Sequence, residues 1–250
     1  MLDLARTAAP QSAIGRLLRW PLNLVPKGQI VPILSGPLRK SRWTVGAGLH
    51  GCWLGTYELE KQRLFAGRLV PGHVVYDIGA NVGFYSVLAS RYVGPRGKVF
   101  CFEPVPENVR HLKRHLELNR CGNTKVFVLA LGERRGEAQF DNCGSFTGKL
   151  SPTGRLRVSV ESLDGLLNAG SIGPADLVKI DVEGGELAVL HGGADFFQRY
   201  RPAIFLATHG DRVHRDCCRL LQQWDYALRP LLKEGSLCQA DELLAIGKPA

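Results

Sequence analysis

Residues 75–86 of this chain have the pattern of a strand, a tight turn and the start of a helix. Apolar residues run up to Asp77, and two glycines, Gly79 and Gly83, follow with Asn81 between them. A backbone that turns this sharply after a strand can close around a nucleotide-like ligand. The G-x-G-x-x-G fingerprint of dinucleotide-binding proteins would need a glycine in place of Asn81, so the pattern favours a nucleoside without a pyrophosphate. An ordinary connection between a strand and a helix is the alternative.

The segment after Pro71 alternates apolar strands with amphipathic helices. That alternation predicts an α/β fold with a mostly parallel, doubly wound sheet, which binds ligands at the carboxyl ends of its strands. The predicted strands are Val74–Tyr76, Val99–Phe102, Val126–Leu129, Asp176–Asp181 and Pro202–Ala207, with a final pair at Tyr226–Leu232 and Leu243–Ile246. The predicted helices are Leu59–Val70, Phe84–Tyr92, one that begins at Pro106, one with Leu187, Leu190, Ala194 and Phe197 on one face, and one with Val213, Cys217, Leu220, Leu221 and Trp224 in register.

Prolines and composition divide the chain into an extension and a main domain. Residues 1–64 are predicted to be an irregular, basic N-terminal extension, because prolines rule out long helices across most of it. Residues 65–250 are predicted to form the main domain. Within it, residues 132–160 are rich in glycine, serine, threonine and charged residues, and apolar and polar residues alternate near the end of this segment. This pattern predicts a hairpin-like insertion on the sheet.

The net charge of +9 is concentrated at the N-terminal end of the chain. Residues 1–50 hold seven lysines and arginines against the single acid Asp3. A basic arm of this kind could contact anionic lipid, nucleic acid or an acidic substrate, and a merely solvated extension is the alternative.

Apolar runs and cysteines bear on the compartment. No apolar run approaches the roughly 18 residues of a membrane span, and the start of the chain lacks the pattern of a secretory signal. The seven cysteines include no C-x-x-C pair, which favours reduced thiols in the cytoplasm. Because neither the cysteines nor the histidines group into a ligand set, no metal site is predicted.

Acids end the predicted strands at one edge of the sheet. Glu103 ends the strand after Asp77, which is where an α/β fold binds a ribose diol through two charge-assisted hydrogen bonds. Asp181 and Glu183 stand two positions apart at the end of the fourth strand, and side chains with that spacing point the same way on a straight strand. Two convergent carboxylates can bind a hard cation, share a proton or contact a substrate hydroxyl. Glu186 is interpreted as a structural residue in the first turn of the next helix.

His209 is the only histidine that is predicted to lie at a strand end. A neutral imidazole near an acceptor group could remove a proton at physiological pH, and a hydrogen-bonded loop residue is the alternative. The chain has no G-x-S-x-G elbow and no P-loop, which counts against an α/β-hydrolase or a nucleotide hydrolase.

Taken in order, these motifs resemble the FkbM family of S-adenosylmethionine-dependent methyltransferases. The resemblance spans roughly residues 50–210, and the ordered set is more specific than any one motif. The motifs are Gly55-Thr56-Tyr57-Glu58, Asp77-Ile78-Gly79-Ala80-Asn81-Val82-Gly83, Phe102-Glu103-Pro104, Ser162-Leu163-Asp164, Lys179-Ile180-Asp181-Val182-Glu183-Gly184 and Arg201-Pro202.

The resemblance implies a class I methyltransferase, with a Rossmann-like, seven-stranded sheet whose last strand is antiparallel. It implies that the methionine end of S-adenosylmethionine lies over the motif at residues 77–83 and that the ribose lies on Glu103. It puts Asp181 and Glu183 beside the point of methyl transfer. The cofactor-binding residues implied in this way are Asp77, Gly79, Asn81, Gly83 and Glu103. Relatives often carry glutamate near residues 207–208, whereas here the first ionisable group is His209.

The function expected from these observations is O-methylation of a hydroxyl on a sugar, a natural product or another small molecule. The predicted catalytic residues are His209, Asp181 and Glu183, one of which acts as general base, and a bound Mg²⁺ at the acids is the alternative. A second hypothesis is that the chain methylates or binds RNA through its basic arm. Against it, base methylation commonly uses an Asn/Asp-Pro-Pro-aromatic loop after the fourth strand, and two acids beside the acceptor would repel phosphate. The sequence carries no signal for an oligomeric state.

Overall fold

The computed structural model describes residues 20–141, 149–150, 154, 156–232, 237 and 240–247. Its strands, numbered in chain order, are β1 Ile30–Pro32, β2 Arg42–Thr44, β3 Val74–Ile78, β4 Lys98–Phe102, β5 Thr124–Phe127, β6 Ala130–Leu131, β7 Gly136–Asp141, β8 Lys149–Leu150, β9 Leu156–Glu161, β10 Leu177–Ile180, β11 Ala203–Ala207, β12 Tyr226–Pro230 and β13 Glu242–Gly247. Its helices are α1 His50–Leu54, α2 Leu59–Ala66, α3 Phe84–Val93, α4 Pro106–Leu118, α5 Leu163–Asn168, α6 Glu186–His191, α7 Ala194–Tyr200 and α8 Asp211–Gln223, and a short 3-10 helix covers Trp20–Leu24.

A seven-stranded sheet with flanking helices forms the centre of the fold, in the strand order β12–β13–β11–β10–β3–β4–β5. The strands from β11 to β5 in that order pair in parallel, whereas β13 is antiparallel to both of its neighbours. The carboxyl ends of β3, β4, β10 and β11 therefore meet at one edge of the sheet. The predicted mostly parallel, doubly wound α/β sheet with an antiparallel last strand is confirmed.

The two faces of β3 differ, and this difference determines where the site forms. Tyr76 and Ile78 belong to the main hydrophobic cluster, in which the ring of Tyr76 stacks on Phe196 at a centroid distance of 5.5 Å. Because side chains alternate along a strand, Asp77 lies on the opposite face. Its register partner in β10 is Lys179.

One predicted helix is divided in the structure. The prediction of a single helix over Leu187–Phe197 was wrong, because α6 ends at His191 and α7 begins at Ala194. Two glycines separate them, and a Cβ atom on Gly192 would lie only 2.0 Å from the carbonyl oxygen of Gly132. The close approach of two backbones thus interrupts a segment whose apolar spacing alone predicts a continuous helix.

The N-terminal part of the chain is more regular than predicted. The chain divides into two compact units, one up to Tyr57 and one from Glu58 onwards. In the first unit β1 and β2 pair antiparallel, although an irregular segment was predicted there. The predicted boundary after residue 64 falls a little further along the chain, inside α2. Residues 1–19 lie outside the described residues.

A second, four-stranded sheet with the order β6–β9–β7–β8 corresponds to the predicted insertion. Its β7 and β9 pair antiparallel, as in a hairpin, and β6 pairs parallel with β9. Phe140 and Val158 pack there in a small hydrophobic cluster with Val105. Residues 142–148, 151–153 and 155 of the predicted insertion lie outside the described residues.

Two further properties of the described residues concern membrane-spanning helices and cysteines. None of their helices is both long enough and apolar enough to cross a membrane. Five cysteines fall among these residues, and all are buried and take part in no disulfide: Cys52, Cys101, Cys121, Cys217 and Cys218.

Candidate active site

The turn between β3 and α3 depends on two glycines with positive φ. Gly79 has φ +77°, and a Cβ atom there would lie 1.9 Å from the carbonyl oxygen of Asp181. Gly83 has φ +91°, and a Cβ atom there would lie 2.6 Å from Cδ1 of Leu112. L-residues with side chains rarely adopt this backbone conformation. The packing of the chain itself therefore requires both glycines, and Gly79 brings the turn into contact with the loop that carries Asp181.

Asn81 and His115 hold the same turn from two sides. Asn81 has φ 52°, and its Oδ1 accepts the N–H of Val82 at 2.7 Å. The buried ring of His115, from α4, donates from Nδ1 to the carbonyl oxygen of Val82 at 2.7 Å. Burial lowers the pKa of His115 to about 4, so the ring is neutral at physiological pH. The centre of the turn is thus fixed by its own side chain and by α4.

The carboxylate of Glu103 is buried beside the turn and has three N–H donors. Its Oε1 accepts from Val105 N at 3.0 Å and from Asn108 Nδ2 at 3.2 Å, and its Oε2 accepts from Asn81 N at 2.8 Å. Burial raises the pKa of Glu103, and these donors offset part of that effect. A carboxylate oxygen can accept two hydrogen bonds, so Oε2 keeps capacity for a further donor.

Asp77 and Lys179 form a buried ion pair across β3 and β10. Lys179 Nζ lies 3.6 Å from Asp77 Oδ1, and Ser86 Oγ donates to Asp77 Oδ2 at 2.6 Å. Neither partner of the ion pair has more than 4% of its side chain exposed. Burial by itself would lower the pKa of Lys179, but the carboxylates of Asp181 and Asp77 raise it above its usual value. The lysine is therefore a cation that serves two carboxylates.

A second lysine, Lys61 of α2, also reaches Asp181. Its Nζ lies 4.0 Å from Asp181 Oδ2 and 2.5 Å from Oε1 of Glu242 in β13. It also lies 3.4 Å from Glu58 Oε2, which accepts a hydrogen bond from the hydroxyl of Tyr85 at 2.7 Å. Lys61 has only 6% of its side chain exposed. It therefore joins α2 to the last strand and to the loop after β10.

His209 lies two residues after the end of β11, among three acids. Its Nδ1 is 2.8 Å from Oε1 of Glu186, whose side chain is completely buried. Its Nε2 is 3.4 Å from Glu183 Oε2 and 3.9 Å from Asp181 Oδ1. Glu183 has φ 55°, a conformation that is unusual for a residue with a side chain and that is found mainly at functional sites and turns. The imidazole itself is 36% exposed and can be reached from solvent.

Charge complementarity shifts the pKa values of both sides of this cluster. The hydrogen bond to Glu186 raises the pKa of His209, burial opposes that rise, and the charges of Glu186, Glu183 and Asp181 add to it. Burial would raise the pKa of Asp181, but the lysines and His209 bring it below the usual value. Asp181 thus remains ionised while the imidazole of His209 titrates at a higher pH than a free histidine.

The geometry allows the cluster to share one small cation or one proton. Single ligand-type atoms of Asp181, Glu183 and His209 all lie within 4.8 Å of one another. One oxygen of Asp181 already faces Lys179 at 3.3 Å, and Glu186 holds Nδ1 of His209. Nε2 of His209, Oδ1 of Asp181 and the carboxylate of Glu183 lie near one another, an arrangement suited to proton transfer.

The residues that the sequence analysis singles out form one continuous set along the edge of the sheet. Glu103 contacts Asn81, Gly79 contacts the backbone of Asp181, and Asp181 connects through Lys179 to Asp77 and through its other oxygen to His209. Gly83 differs, since it packs on α4. No role was predicted from the sequence for the residues that join this set: Glu58, Lys61, Tyr85, Ser86, Lys179 and Glu242.

One of these residues left a signal in the sequence. Lys179 is a charged residue inside the apolar strand β10, and a buried charge of that kind needs a partner. Lys61 gives no such signal, because its partner Glu242 is 181 residues away in the chain.

The strand order, with its antiparallel β13, defines a class I methyltransferase fold. A solved structure with this fold, methyltransferase FkbM from Methylobacillus flagellatus, superposes with a TM-score of 0.52 at 18% identity, covering 70% of this chain and 43% of that one. The methyltransferase FkbM domain matches residues 77–228, which is more than half of the chain. The chain therefore belongs to the FkbM methyltransferase family, as the sequence motifs predicted.

Two curated proteins are similar to this chain. Hexuronic acid methyltransferase AglP of Haloferax volcanii is 27% identical over 164 residues, which cover 64% of this chain and 66% of AglP. The 2-O-methyltransferase NoeI of Sinorhizobium fredii is 27% identical over 155 residues, which cover 52% of this chain and 61% of NoeI. The matched part of the chain thus spans slightly less than two thirds of the length of these relatives.

Proposed function

We propose that this chain transfers a methyl group from S-adenosylmethionine to a hydroxyl group of a sugar or another small molecule. The observation that carries the proposal is the cluster of His209, Asp181 and Glu183 at the edge of the sheet where the turn of residues 79–83 also lies. Membership of the FkbM family supports methyl transfer, and the names of AglP and NoeI support a sugar hydroxyl as acceptor. We propose a cytoplasmic setting, which the absence of disulfides among the described cysteines supports.

The residues along the edge fit S-adenosylmethionine in charge and in hydrogen-bonding capacity. The remaining lone pair on Oε2 of Glu103 could accept a ribose hydroxyl, and the acids near Asp181 suit the positive sulfonium and ammonium groups. When bound, the cofactor supplies a methyl group that is already activated by the positive sulfur. Asp77, Gly79, Asn81 and Gly83 would hold it by fixing the turn. The contacts of Asp77 with Lys179 and Ser86 favour an indirect role for this carboxylate.

In this proposal the protein aligns the acceptor and removes its proton. An alcohol is a poor nucleophile until its proton leaves, and Nε2 of His209 is the proton acceptor that the geometry favours. The single proton of the hydroxyl would point at Nε2, and Asp181 and Glu183 would stabilise the imidazolium that forms when His209 accepts it. The bound cofactor would supply the methyl group and would keep the electron pair of its carbon–sulfur bond, while the hydroxyl proton would pass to Nε2 of His209. Charge is conserved, because the positive charge of the sulfonium is replaced by that of the imidazolium.

Binding of the cofactor can be tested with an isosteric change at Glu103. Glu103→Gln removes the charge from a hydrogen bond to the ribose, so affinity for S-adenosylhomocysteine should fall about tenfold or more in calorimetry. Glu107→Gln is the matched control, since Glu107 is an exposed acid in the first turn of α4. Equal affinities for the two variants would argue against this placement of the ribose.

Transfer itself can be tested with labelled S-adenosylmethionine and a panel of sugars and metabolite extracts. His209→Ala should slow turnover by about 10²- to 10⁴-fold, the usual contribution of a general base, and should leave affinity for S-adenosylhomocysteine unchanged. Full turnover in His209→Ala would exclude the imidazole as the base. Absence of labelled product from the unaltered protein with every acceptor would count against the proposed function itself.

A further inference from the structure

Glu186 is a completely buried acid in the first turn of α6, where a structural role was predicted from the sequence. Its Oε1 accepts from Gly184 N at 3.0 Å, lies 3.4 Å from Val182 N and is 2.8 Å from Nδ1 of His209. Its Oε2 is buried and has no hydrogen-bond partner among the described residues. Burying an ionised carboxylate is costly unless charged or polar partners compensate. A purely structural acceptor for two backbone N–H groups would not require a charge.

The contact with Glu186 determines which nitrogen of His209 can act. Since the pKa of Glu186 is lowered, its carboxylate is ionised and can only accept a hydrogen bond. Neutral His209 therefore carries its proton on Nδ1, and the lone pair of Nε2 points away from Glu186. Nε2 is the nitrogen that lies near Glu183 and Asp181, where the acceptor hydroxyl is expected.

We propose that Glu186 is the positioning residue of this site, and that it orients His209 and keeps Nε2 free to accept a proton. This inference rests on the proposed function, which assigns the role of base to His209. Glu186 acts through His209 and does not itself touch the acceptor. Through Gly184 it also holds the loop of Asp181 and Glu183, so one carboxylate aligns groups that follow two different strands.

The same contact should affect the titration of the base. The titratable groups that face His209 are Glu186 from α6 and, from the loop after β10, Glu183 and Asp181, with Lys179 beyond Asp181. The acids raise the pKa of His209 above 6.5, and a base must be deprotonated to act. Turnover should therefore rise as the pH increases through that raised pKa. Removing the charge of Glu186 should lower the pKa and move this rise to lower pH.

The test is Glu186→Gln, which keeps the size of the side chain and a carbonyl oxygen for Gly184 N–H but removes the charge. We expect kcat to fall about 10- to 100-fold, with KM within about twofold, because orientation of the base is lost and not binding. NMR of the His209 imidazole, identified by the signal that is missing in His209→Ala, should show a lower pKa and a larger share of the tautomer protonated on Nε2. Glu107→Gln, which changes an exposed acid at a helix start, should change neither turnover nor the titration of the His209 imidazole.

A purely structural role gives different results. It predicts a lower unfolding free energy in Glu186→Gln with an unchanged imidazole pKa and tautomer, and that result would overturn the inference. The inference would also be overturned if Glu186→Gln lowered turnover as much in the His209→Ala protein as in the unaltered protein. A residue that acts through His209 has no further effect once the imidazole is gone. The NMR titration needs no turnover. If Glu186→Gln shifts the pKa of His209 but the unaltered protein transfers no methyl group, the proposed function is refuted and the contact between Glu186 and His209 is retained. If the unaltered protein transfers methyl groups and Glu186→Gln changes neither turnover nor the titration, only the inference is refuted.

Discussion

Gly79→Ala should destabilise the protein far more than a glycine substitution usually does. The left-handed backbone conformation alone costs an alanine about 1–2 kcal/mol. The added Cβ would also lie 1.9 Å from the carbonyl oxygen of Asp181, whereas Cβ atoms in proteins essentially never come closer than 3.0 Å to such a neighbour. The backbone must move by about 1 Å, which disturbs the bonds from Gly79 N and Ala80 N to the carbonyl oxygen of Phe102, both 3.0 Å long. At about 1 kcal/mol for each of the two weakened bonds, we expect a total loss of about 3–4 kcal/mol.

Urea unfolding measures this loss, provided that the m-value stays constant. Gly170→Ala is the matched control, because Gly170 also has positive φ, +65°, but a Cβ atom there would meet nothing within 4 Å. That variant should lose only the backbone cost of about 1–2 kcal/mol. Equal losses in the two variants would refute the contact between the turn and the loop of Asp181. Gly79→Ala should also weaken binding of S-adenosylhomocysteine, since the shift moves the turn that is proposed to hold it.

Three further predictions follow from the charges of the site. Lys179→Met leaves Asp77 and Asp181 without their shared cation and should lower the unfolding free energy by about 3–5 kcal/mol, whereas the exposed Lys113→Met should change it little; a loss below about 1 kcal/mol would contradict the ion pair. A neutral glycoside should be methylated on the order of tenfold more efficiently than the matching uronate, because the carboxylates around His209 repel a negative acceptor. Competition assays with labelled cofactor measure this preference, and a preference for the uronate would contradict the electrostatic reasoning. Treatment with EDTA should leave turnover unchanged, since Lys179 already compensates one of the acids; a loss that Mg²⁺ restores would assign the cluster to a metal ion.

The fold and the candidate residues could be predicted because both follow from local patterns. Apolar strands that end in acids, separated by amphipathic helices, define a parallel sheet and bring their carboxyl ends to one edge. Asp77, Glu103, Asp181 and His209 each follow or end such a strand, so the sequence order alone predicts that they lie on the same edge. The structure places them there through β3, β4, β10 and β11.

The contacts among these residues could not be predicted, because they depend on long-range packing. Lys61 and Glu242 are far apart in sequence and meet because the antiparallel strand β13 pairs beside β11. The break between α6 and α7 arises likewise from a backbone that approaches from Gly132. Neither apolar periodicity nor motif spacing contains that information.

Lys179 explains how two carboxylates of the site can lie close together inside the protein. A carboxylate at the end of β3 and another in the loop after β10 would repel each other in a medium of low dielectric constant. Lys179 projects between them from β10, at 3.6 Å from Asp77 and 3.3 Å from Asp181. The same ammonium thus stabilises the turn proposed to hold the cofactor and keeps charge on the acid that faces His209. Because one cation serves both, a change in charge on either side of the site alters the electrostatics of the other.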